Sequence, residues 1–345
     1  MTKSMVDYLR VVTPYLDSEL FSLKSLGEIQ KIAKYLPHSS LAGFECRLGE
    51  SQTKVDFQIS VNPHSFKITK EFMESSTWKK ILNFFQDLQM SFLLKEQIKR
   101  IGLEFDLPND QPWVLPIPCI FFHLNPLSID ETQALIILIL KSLDYEYSSS
   151  LQHNLQTCYN SLPNGANIKY VGLMLSRSNQ ALRIIINGLV NEQLIQYLEK
   201  IGWSASTEPL YKLVSQLTLF SDMIALALDV GKTIQPKIGL ECFINKSPSE
   251  DPRWNLLLDY LVEQRLCTLA KHQAILAWPG ICMKSDHPDL WPSNLLWGDR
   301  FVNSQGVSVF WRKISHIKLS YHSSLPLEAK AYLAFGHSWL TVITP

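Results

Sequence analysis

Residues 54–61 read KVDFQISV, and the strict alternation within this stretch decides the fold class. Apolar residues occupy every second position from Val55 to Val61, so in an extended chain their side chains all leave the same face. The preceding segment 43–48, GFECRL, alternates in the same way. Together the two segments predict a β-hairpin with one apolar face and one polar face.

Hairpins of this kind recur along the chain, and we count five of them. Both strands can be recognised in the second, third and fifth hairpins, whereas the fourth shows one strand whose partner we do not place. The segments are RIGLEFDL (100–107) with IPCIFFHL (117–124), YVGLMLS (170–176) with LRIIING (182–188), KIGLECFIN (237–245), and HIKLSY (316–321) with AKAYLAFG (329–336). The last segment is rich in helix-forming residues, and we assign it as a strand because it completes the fifth hairpin.

Helical patterns separate the hairpins. In residues 78–92 and 254–261, apolar side chains recur at the spacing that is typical of one buried helix face. The remaining helical patterns, with internal breaks, cover 4–35, 129–162 and 191–229. The chain therefore repeats an order of helices followed by a hairpin, and we predict one domain that spans residues 1–345.

This order also predicts the overall architecture. The apolar strand faces can be buried under the helices, which leaves the polar faces together on the other side. An open antiparallel sheet with one solvated face would satisfy the same pattern. A sheet of about ten strands, however, twists so strongly that it tends to curl, and closure removes its exposed edges. We therefore predict an α+β fold, a closed ten-stranded antiparallel β-barrel inside a ring of helices, with a polar lumen.

Composition excludes several classes of function. The 345 residues include 32 Lys plus Arg and 32 Asp plus Glu, so there is no global positive charge to attract nucleic acid or an anionic membrane. The longest apolar run, residues 134–140, is too short to span a bilayer. The six cysteines lack metal-binding spacing and lie in mostly apolar surroundings, which indicates reduced core residues of a cytoplasmic protein.

The polar strand faces supply the side chains of the predicted lumen. These side chains are Glu45, Arg47, Lys54, Asp56, Gln58, Glu104, Asp106, Arg183, Asn187, Lys237, Glu241, His316, Lys318, Lys330 and Tyr332. Converging cations can bind a diphosphate, aromatic faces can shelter a carbocation, and carboxylates can orient an N–H group. The sequence has no zinc-ligand spacing and no dinucleotide-binding glycine pattern, so it predicts neither a zinc site nor a nucleotide or redox cofactor. The set favours transfer of an allylic group from its diphosphate to an electron-rich ring.

In element order, nearly the whole chain resembles the ABBA, or PT-barrel, superfamily of aromatic prenyltransferases. That family has five α-α-β-β units that close a ten-stranded barrel. The stretches KVDFQISVNP (54–63), YVGLMLSRSNQALRIIINGL (170–189) and LEAKAYLAF (327–335) are similar to its first, third and last hairpins. HIKLSY is similar to the strand on which indole-acting members carry an alternating Arg-Lys-Tyr set, of which only the lysine is present here.

The resemblance implies a set of diphosphate-binding residues. Arg183, Lys318 and Lys330 take positions that contact the diphosphate in the family. The arginine expected on the fourth strand is missing, and Lys237 is the nearest substitute. Arg47, on the polar face of the first hairpin, joins this set.

Other residues take positions next to the reacting groups. Asp56 matches an aspartate that bacterial members associate with metal, which implies Mg²⁺ bound with the prenyl diphosphate. A strand glutamate anchors the indole N–H in indole-acting members, and both Glu45 and Glu104 fit. We favour Glu104, because Glu45 can pair with Arg47. Tyr332 would shield the allylic cation.

The resemblance implies a dimethylallyl or geranyl diphosphate donor and an aromatic small-molecule acceptor, with indole alkaloids of the hapalindole type favoured. Prenylation of peptide side chains is the nearest alternative. A non-catalytic barrel that binds a hydrophobic anion also fits a polar lumen. A five-fold propeller that acts on guanidines is a further alternative, but it needs a cysteine nucleophile with histidine and acidic partners, and none of the six cysteines has such neighbours in sequence.

Overall fold

β-Strands form the centre of the protein. The computed structural model describes residues 4–50, 54–62, 66, 72, 75–107, 115–177, 181–302 and 306–341. The described strands are β1 (Leu41–Arg47), β2 (Val55–Val61), β3 (Ile98–Phe105), β4 (Cys119–Leu124), β5 (Asn167–Leu173), β6 (Leu182–Asn187), β7 (Met223–Val230), β8 (Ile234–Phe243), β9 (Gly280–Met283), β10 (Gly306–Tyr321) and β11 (Glu328–Thr341). All of them belong to one antiparallel sheet.

The sheet closes on itself. Strands β1 to β8 pair in chain order, β8 pairs with β10, and β10 pairs with β11. Strand β11 then returns to pair with β1, which completes a ring of ten strands, and the short β9 pairs with β10 beside this ring. The closed ten-stranded barrel predicted from the sequence is confirmed, and the open sheet and the propeller are wrong.

Helices precede each hairpin in pairs. The described helices are α1 (Met5–Val12), α2 (Leu23–Ala33), α3 (Ser76–Met90), α4 (Phe92–Gln97), α5 (Ile129–Ser142), α6 (Ser149–Asn160), α7 (Asn191–Lys200), α8 (Thr207–Thr218), α9 (Arg253–Glu263), α10 (Leu269–Ala277) and α11 (Ser293–Val302). Five α-α-β-β units therefore follow one another, as the repeat predicts. The fifth unit carries β9 and α11 between its two helices and its hairpin.

The hydrophobic core lies between the barrel and the helices. Phe57 on β2 and Phe105 on β3 are fully buried, and so is Trp78 on α3. The rings of Trp78 and Phe105 stack with their centroids 6.4 Å apart. Burial of such a side chain contributes about 1.5–3 kcal/mol, so this layer holds the helices against the barrel and leaves the lumen to the inward-facing residues.

Serine caps determine where the helices over residues 78–92 begin. The Ser75 side chain accepts a hydrogen bond from the Trp78 backbone N–H, and Ser91 accepts one from Leu94. Ser91 has an extended backbone (φ −93°, ψ 111°), so it ends α3 and starts α4. The single helix face predicted over 78–92 is therefore wrong at its end, where a second helix begins.

The helical pattern predicted over 191–229 is also wrong in its last part, because Met223–Val230 is strand β7. This strand is the partner of β8 that the sequence does not reveal. Its inward positions include Ala225 and Ala227, so Asp229 near the end of the strand is the one polar residue on that face. A strand that is apolar on both faces over most of its length loses the alternation by which strands are recognised.

The six cysteines are all free and buried, which confirms their prediction as reduced core residues. In the described part of the chain, no helix combines the length and the apolar character that crossing a bilayer requires.

Candidate active site

Two adjacent cavities occupy the lumen. The first, which we call the aromatic chamber, has a volume of about 230 Å³ and is lined by the rings of Phe121, His123, Tyr170, Phe243, His316 and Tyr332. The second, which we call the cation chamber, has a volume of about 330 Å³ and is lined by Arg177, Arg183, Lys237, Lys318 and Lys330. Arg183 and Lys318 line both cavities, so they form the boundary between the two chambers.

Lys330 on β11 is held by Glu45 on the neighbouring strand β1. The Lys330 Nζ atom lies 2.6 Å from Glu45 Oε1, and the Tyr332 hydroxyl donates a hydrogen bond to Glu45 Oε2. Burial opposes ionisation of Glu45, but Lys330 and Tyr332 outweigh it and hold the pKa of this carboxyl well below its ordinary value. Glu45 is therefore an ionised carboxylate whose two oxygens are both engaged.

The other two predicted diphosphate ligands of the lumen wall are paired in the same way. Lys318 Nζ lies 2.9 Å from Glu241 Oε1. Arg183 donates to Asp229 from Nε at 2.7 Å and from Nη2 at 2.8 Å, which is a bidentate pair. Burial opposes ionisation of both carboxylates, but the cations outweigh it, so the pKa of each lies below its ordinary value. An incoming anion must therefore compete with these carboxylates for the cations.

Lys237 lies at the open end of the cation chamber. Its side chain is 50% exposed, and its Nζ atom lies 3.1 Å from Glu328 Oε2. A cation this exposed is screened by water and salt, so its attraction for an anion is weaker than that of Lys318 or Lys330.

Arg47 and Asp56 form a pair beside the lumen. Arg47 Nη2 donates to Asp56 Oδ2 at 2.9 Å, and the Leu107 backbone N–H donates to Asp56 Oδ1 at 3.1 Å. Asp56 is 1% exposed, and its two oxygens are both engaged. It therefore does not fit the metal-associated role that the resemblance implies. Among the residues that the structure describes, no group of three or more His, Cys, Asp or Glu side chains is placed to hold a metal ion.

Glu104 and Glu45, the two candidate anchors for an acceptor N–H group, differ in whether their carboxylate oxygens already accept hydrogen bonds. Glu104 lines the aromatic chamber and is 6% exposed. Arg177 Nη2 approaches Glu104 Oε1 to 3.6 Å, and within the described residues no hydrogen bond reaches the Glu104 carboxylate. Burial, with the nearby charge of Glu45, raises the pKa of Glu104 to about 7. Glu104 can accept a proton or a hydrogen bond, whereas Glu45 is already satisfied.

Two stacked pairs of rings line the aromatic chamber. The His316 ring stacks on Tyr332 with a centroid distance of 4.1 Å, and Phe243 lies 4.7 Å away. The His123 ring stacks on Tyr170 at 4.5 Å. Burial lowers the pKa of both histidines to about 4, so both rings are neutral at neutral pH. The chamber thus presents uncharged aromatic surfaces to whatever it binds.

Several of these residues are not among those predicted from the sequence. Asp229 is absent from that set because residues 223–229 are predicted as helix, although Ala225 and Ala227, two small residues at alternate positions, are a usable signal of a strand. Arg177, which follows β5 and donates to Asp106 from both Nε and Nη2 at 3.0 Å, is also absent. Phe121 faces the lumen, and its partner on β5, Gly172, leaves room for its ring, because a Cβ atom at residue 172 would lie only 2.6 Å from Phe121 Cε1.

Comparisons with known proteins bear on the fold. No protein-family model matches the chain, and no curated protein matches it. Several solved structures, however, match it over almost its whole length. A 6-dimethylallyltryptophan synthase from Micromonospora olivasterospora, in complex with DMASPP and Trp, has a TM-score of 0.54 at 11% identity, and the match covers 96% of this chain and 97% of that one. The chain has the PT-barrel fold.

Two further PT-barrel structures resemble the chain to the same degree. The apo form of prenyltransferase PriB has a TM-score of 0.53 at 12% identity, over 95% of this chain and 94% of that one. Another 6-dimethylallyl tryptophan synthase has a TM-score of 0.53 at 10% identity, with the same coverage. The PT-barrel resemblance predicted from the sequence is therefore confirmed as a likeness of fold over almost the whole chain.

Proposed function

We propose that this PT barrel transfers a prenyl group from dimethylallyl or geranyl diphosphate to a small aromatic acceptor, with an indole favoured. The observation that carries the proposal is the boundary at Arg183 and Lys318, where a chamber of cations meets a chamber of aromatic rings. A prenyl diphosphate has one anionic end and one apolar end, so it matches this arrangement. The names of the similar solved structures, which include 6-dimethylallyltryptophan synthase, support the same reading.

The cations of the lumen wall bind the diphosphate in this proposal. Arg183, Lys318 and Lys330 turn from their carboxylate partners to the phosphate oxygens and neutralise the charge that grows on the leaving group. Lys237 adds a weaker attraction at the open end. Arg47 remains paired with Asp56 and attracts the Glu45 carboxylate electrostatically, with 3.8 Å between Nη2 and Oε1.

The aromatic chamber receives the prenyl cation and the acceptor. As the C–O bond to the diphosphate breaks, Tyr332 and the rings beside it shield the allylic cation. The acceptor ring attacks this cation and forms the new C–C bond. Glu104 accepts a hydrogen bond from the acceptor N–H, which orients the ring and raises its electron density.

Release of diphosphate tests the proposal. The protein is incubated with dimethylallyl or geranyl diphosphate, with and without Mg²⁺, and with a panel of indoles, phenols and an aromatic peptide. We expect release that depends on the acceptor, and we expect Lys330→Ala to reduce it at least about 100-fold because a buried cation near the leaving group is lost. Lys237→Ala, which removes an exposed lysine of the same chamber, is the matched control and should cost less than about fivefold.

Each outcome has a distinct meaning. Tight donor binding without turnover under any condition would favour a non-catalytic barrel that binds a hydrophobic anion. Diphosphate release that occurs with the aromatic peptide but with none of the indoles or phenols would mean that peptide side chains are the acceptors. Absence of donor binding would overturn the assignment of the cation chamber.

A further inference from the structure

One ring of the aromatic chamber has a nitrogen without a partner. His316 is 9% exposed, and its ring is held between Tyr332 and Phe243. Its Nδ1 atom lies 3.1 Å from Ser315 Oγ, whereas its Nε2 atom is buried with no hydrogen-bond partner among the described residues. A buried polar atom of this kind normally finds a partner in the folded protein or in a ligand.

Carboxylates near His316 can stabilise its imidazole ring when the ring is protonated. Glu241 Oε2 lies 3.9 Å from His316 Nε2, and the other oxygen of Glu241 binds Lys318. Tyr332 faces the ring from β11, and the Glu45 charge also reaches it. Burial and the positive charge of Lys318 keep the imidazole neutral, while the carboxylates of Glu241 and Glu45 would offset the charge of an imidazolium.

His316 lies close to the boundary between the two chambers. It lines the aromatic chamber, and Lys318, two residues further on the same face of β10, lines both chambers. In the proposed function, the bond between donor and acceptor forms at this boundary. A base at His316 is therefore close to the carbon that is attacked.

We propose that His316 Nε2 removes the ring proton of the acceptor after prenyl transfer, a role that rests on the proposed function. In this step Nδ1–H donates to Ser315 Oγ, which leaves the Nε2 lone pair free. The C–H bond of the prenylated, positively charged ring breaks, its electron pair restores aromaticity, and the proton passes to Nε2. The imidazolium is paired with Glu241 until the proton leaves with the diphosphate or to water.

The other groups of the chamber fit this step less well. Glu241 is ionised but held by Lys318, and Glu104 is used for the acceptor N–H. His123 is 8% exposed and both of its ring nitrogens lack partners in the described part of the chain. The charges that act on it, however, are the cations Lys169, Lys99 and Arg100, so an imidazolium there has no counter-ion.

The test compares His316→Gln with His272→Gln, using an acceptor that carries deuterium at the attacked carbon. For His316→Gln we expect product formation to fall about 100-fold or more, unchanged donor affinity, and a primary deuterium isotope effect that the wild-type protein lacks. His272 is a buried histidine of α10 that lies 3.1 Å from Asp259 and lines neither chamber, so for His272→Gln we expect a change of less than about threefold and no isotope effect. A His316→Gln protein with the wild-type rate and no isotope effect would overturn the proposal.

A second variant covers the case in which His316→Gln fails to fold. His316→Ala leaves space for free imidazole, which should restore product formation in proportion to its concentration, while equal imidazole has no effect on the wild-type protein. Failure of imidazole to rescue a folded His316→Ala that binds donor would contradict the role as base. Absence of acceptor-dependent diphosphate release by the wild-type protein would instead count against the proposed function.

Discussion

The side chain of Lys318 crosses directly over Gly239 on the neighbouring strand β8. A Cβ atom at residue 239 would lie 2.5 Å from Lys318 Cε and 3.2 Å from Lys318 Nζ. The missing side chain of Gly239 is thus what allows the ammonium group to reach Glu241 at the boundary between the two chambers.

Gly239→Ala should therefore displace Lys318 and weaken donor binding. We expect the dissociation constant for a non-ionising thiodiphosphate analogue of the donor to rise about tenfold, measured by titration calorimetry. Gly27→Ala on α2 is the control, because a Cβ atom there would meet nothing within 4 Å and residue 27 lines neither chamber. Equal donor affinity in the two variants would contradict the role of Lys318.

Asp229→Asn should bind the donor more tightly than the wild-type protein. The amide oxygen still accepts a hydrogen bond from Arg183, but the negative charge that opposes a diphosphate is gone. We expect the dissociation constant of the same analogue to fall by about tenfold. Asp251→Asn changes an Arg–Asp pair with Arg253, away from the residues that line the two chambers, and should leave the affinity unchanged. Weaker binding by Asp229→Asn would show that Asp229 mainly orients Arg183.

Tyr332→Phe should destabilise the fold. It removes the hydroxyl that donates to Glu45, so a buried charged carboxylate loses one of its donors. We expect the free energy of unfolding in urea to fall by about 1–3 kcal/mol. Tyr211→Phe, which alters a tyrosine that is 43% exposed, should change it by less than about 0.5 kcal/mol. If the two variants have the same stability, the hydrogen bond to Glu45 contributes nothing.

Glu104 should make stability depend on pH. Its pKa is raised from 4.5 to about 7 in the folded state, so the folded protein binds more protons than the unfolded chain between these values. The free energy of unfolding therefore falls as pH rises through this window, by an amount on the order of 3 kcal/mol, because each pKa unit is worth about 1.4 kcal/mol. Glu104→Gln should abolish this decrease in the free energy of unfolding, because glutamine does not titrate.

The measurement compares urea unfolding of wild type and Glu104→Gln at pH 5 and pH 8. We expect the stability advantage of the variant to be larger at pH 8. Glu208→Gln changes an exposed glutamate of α8 that pairs with Lys212, and it serves as the control. An advantage that is the same at both pH values would mean that Glu104 titrates normally.

The barrel could be predicted because its signal is local. Alternation over 54–61 and 100–107 identifies strands without knowledge of their partners, and ten strands with one apolar face each favour closure. Strand β7 could not be predicted in this way, because Ala225 and Ala227 stand at inward positions where the other strands carry polar residues. Without that alternation, Asp229 could not be recognised as a lumen-facing residue.

The ion pairs of the lumen could not be predicted, because they depend on the register between strands that are distant in sequence. Glu45 can pair with Arg47 by sequence, but in the fold it lies opposite Tyr332, and Lys330 reaches it from 285 positions away. Arg47 turns to Asp56 on β2 instead. The pattern of residue types on each strand thus predicts which side chains face the lumen. The register between strands determines which of these side chains form ion pairs with each other.

The most direct test of the central proposal is the mass of the acceptor after incubation with dimethylallyl or geranyl diphosphate. The proposal predicts an acceptor that gains one prenyl group with the wild-type protein and with Lys237→Ala, and at least about 100-fold less of this product in the same time with Lys330→Ala. An acceptor of unchanged mass with every donor, acceptor and metal condition, from a protein that binds the donor, would contradict prenyl transfer.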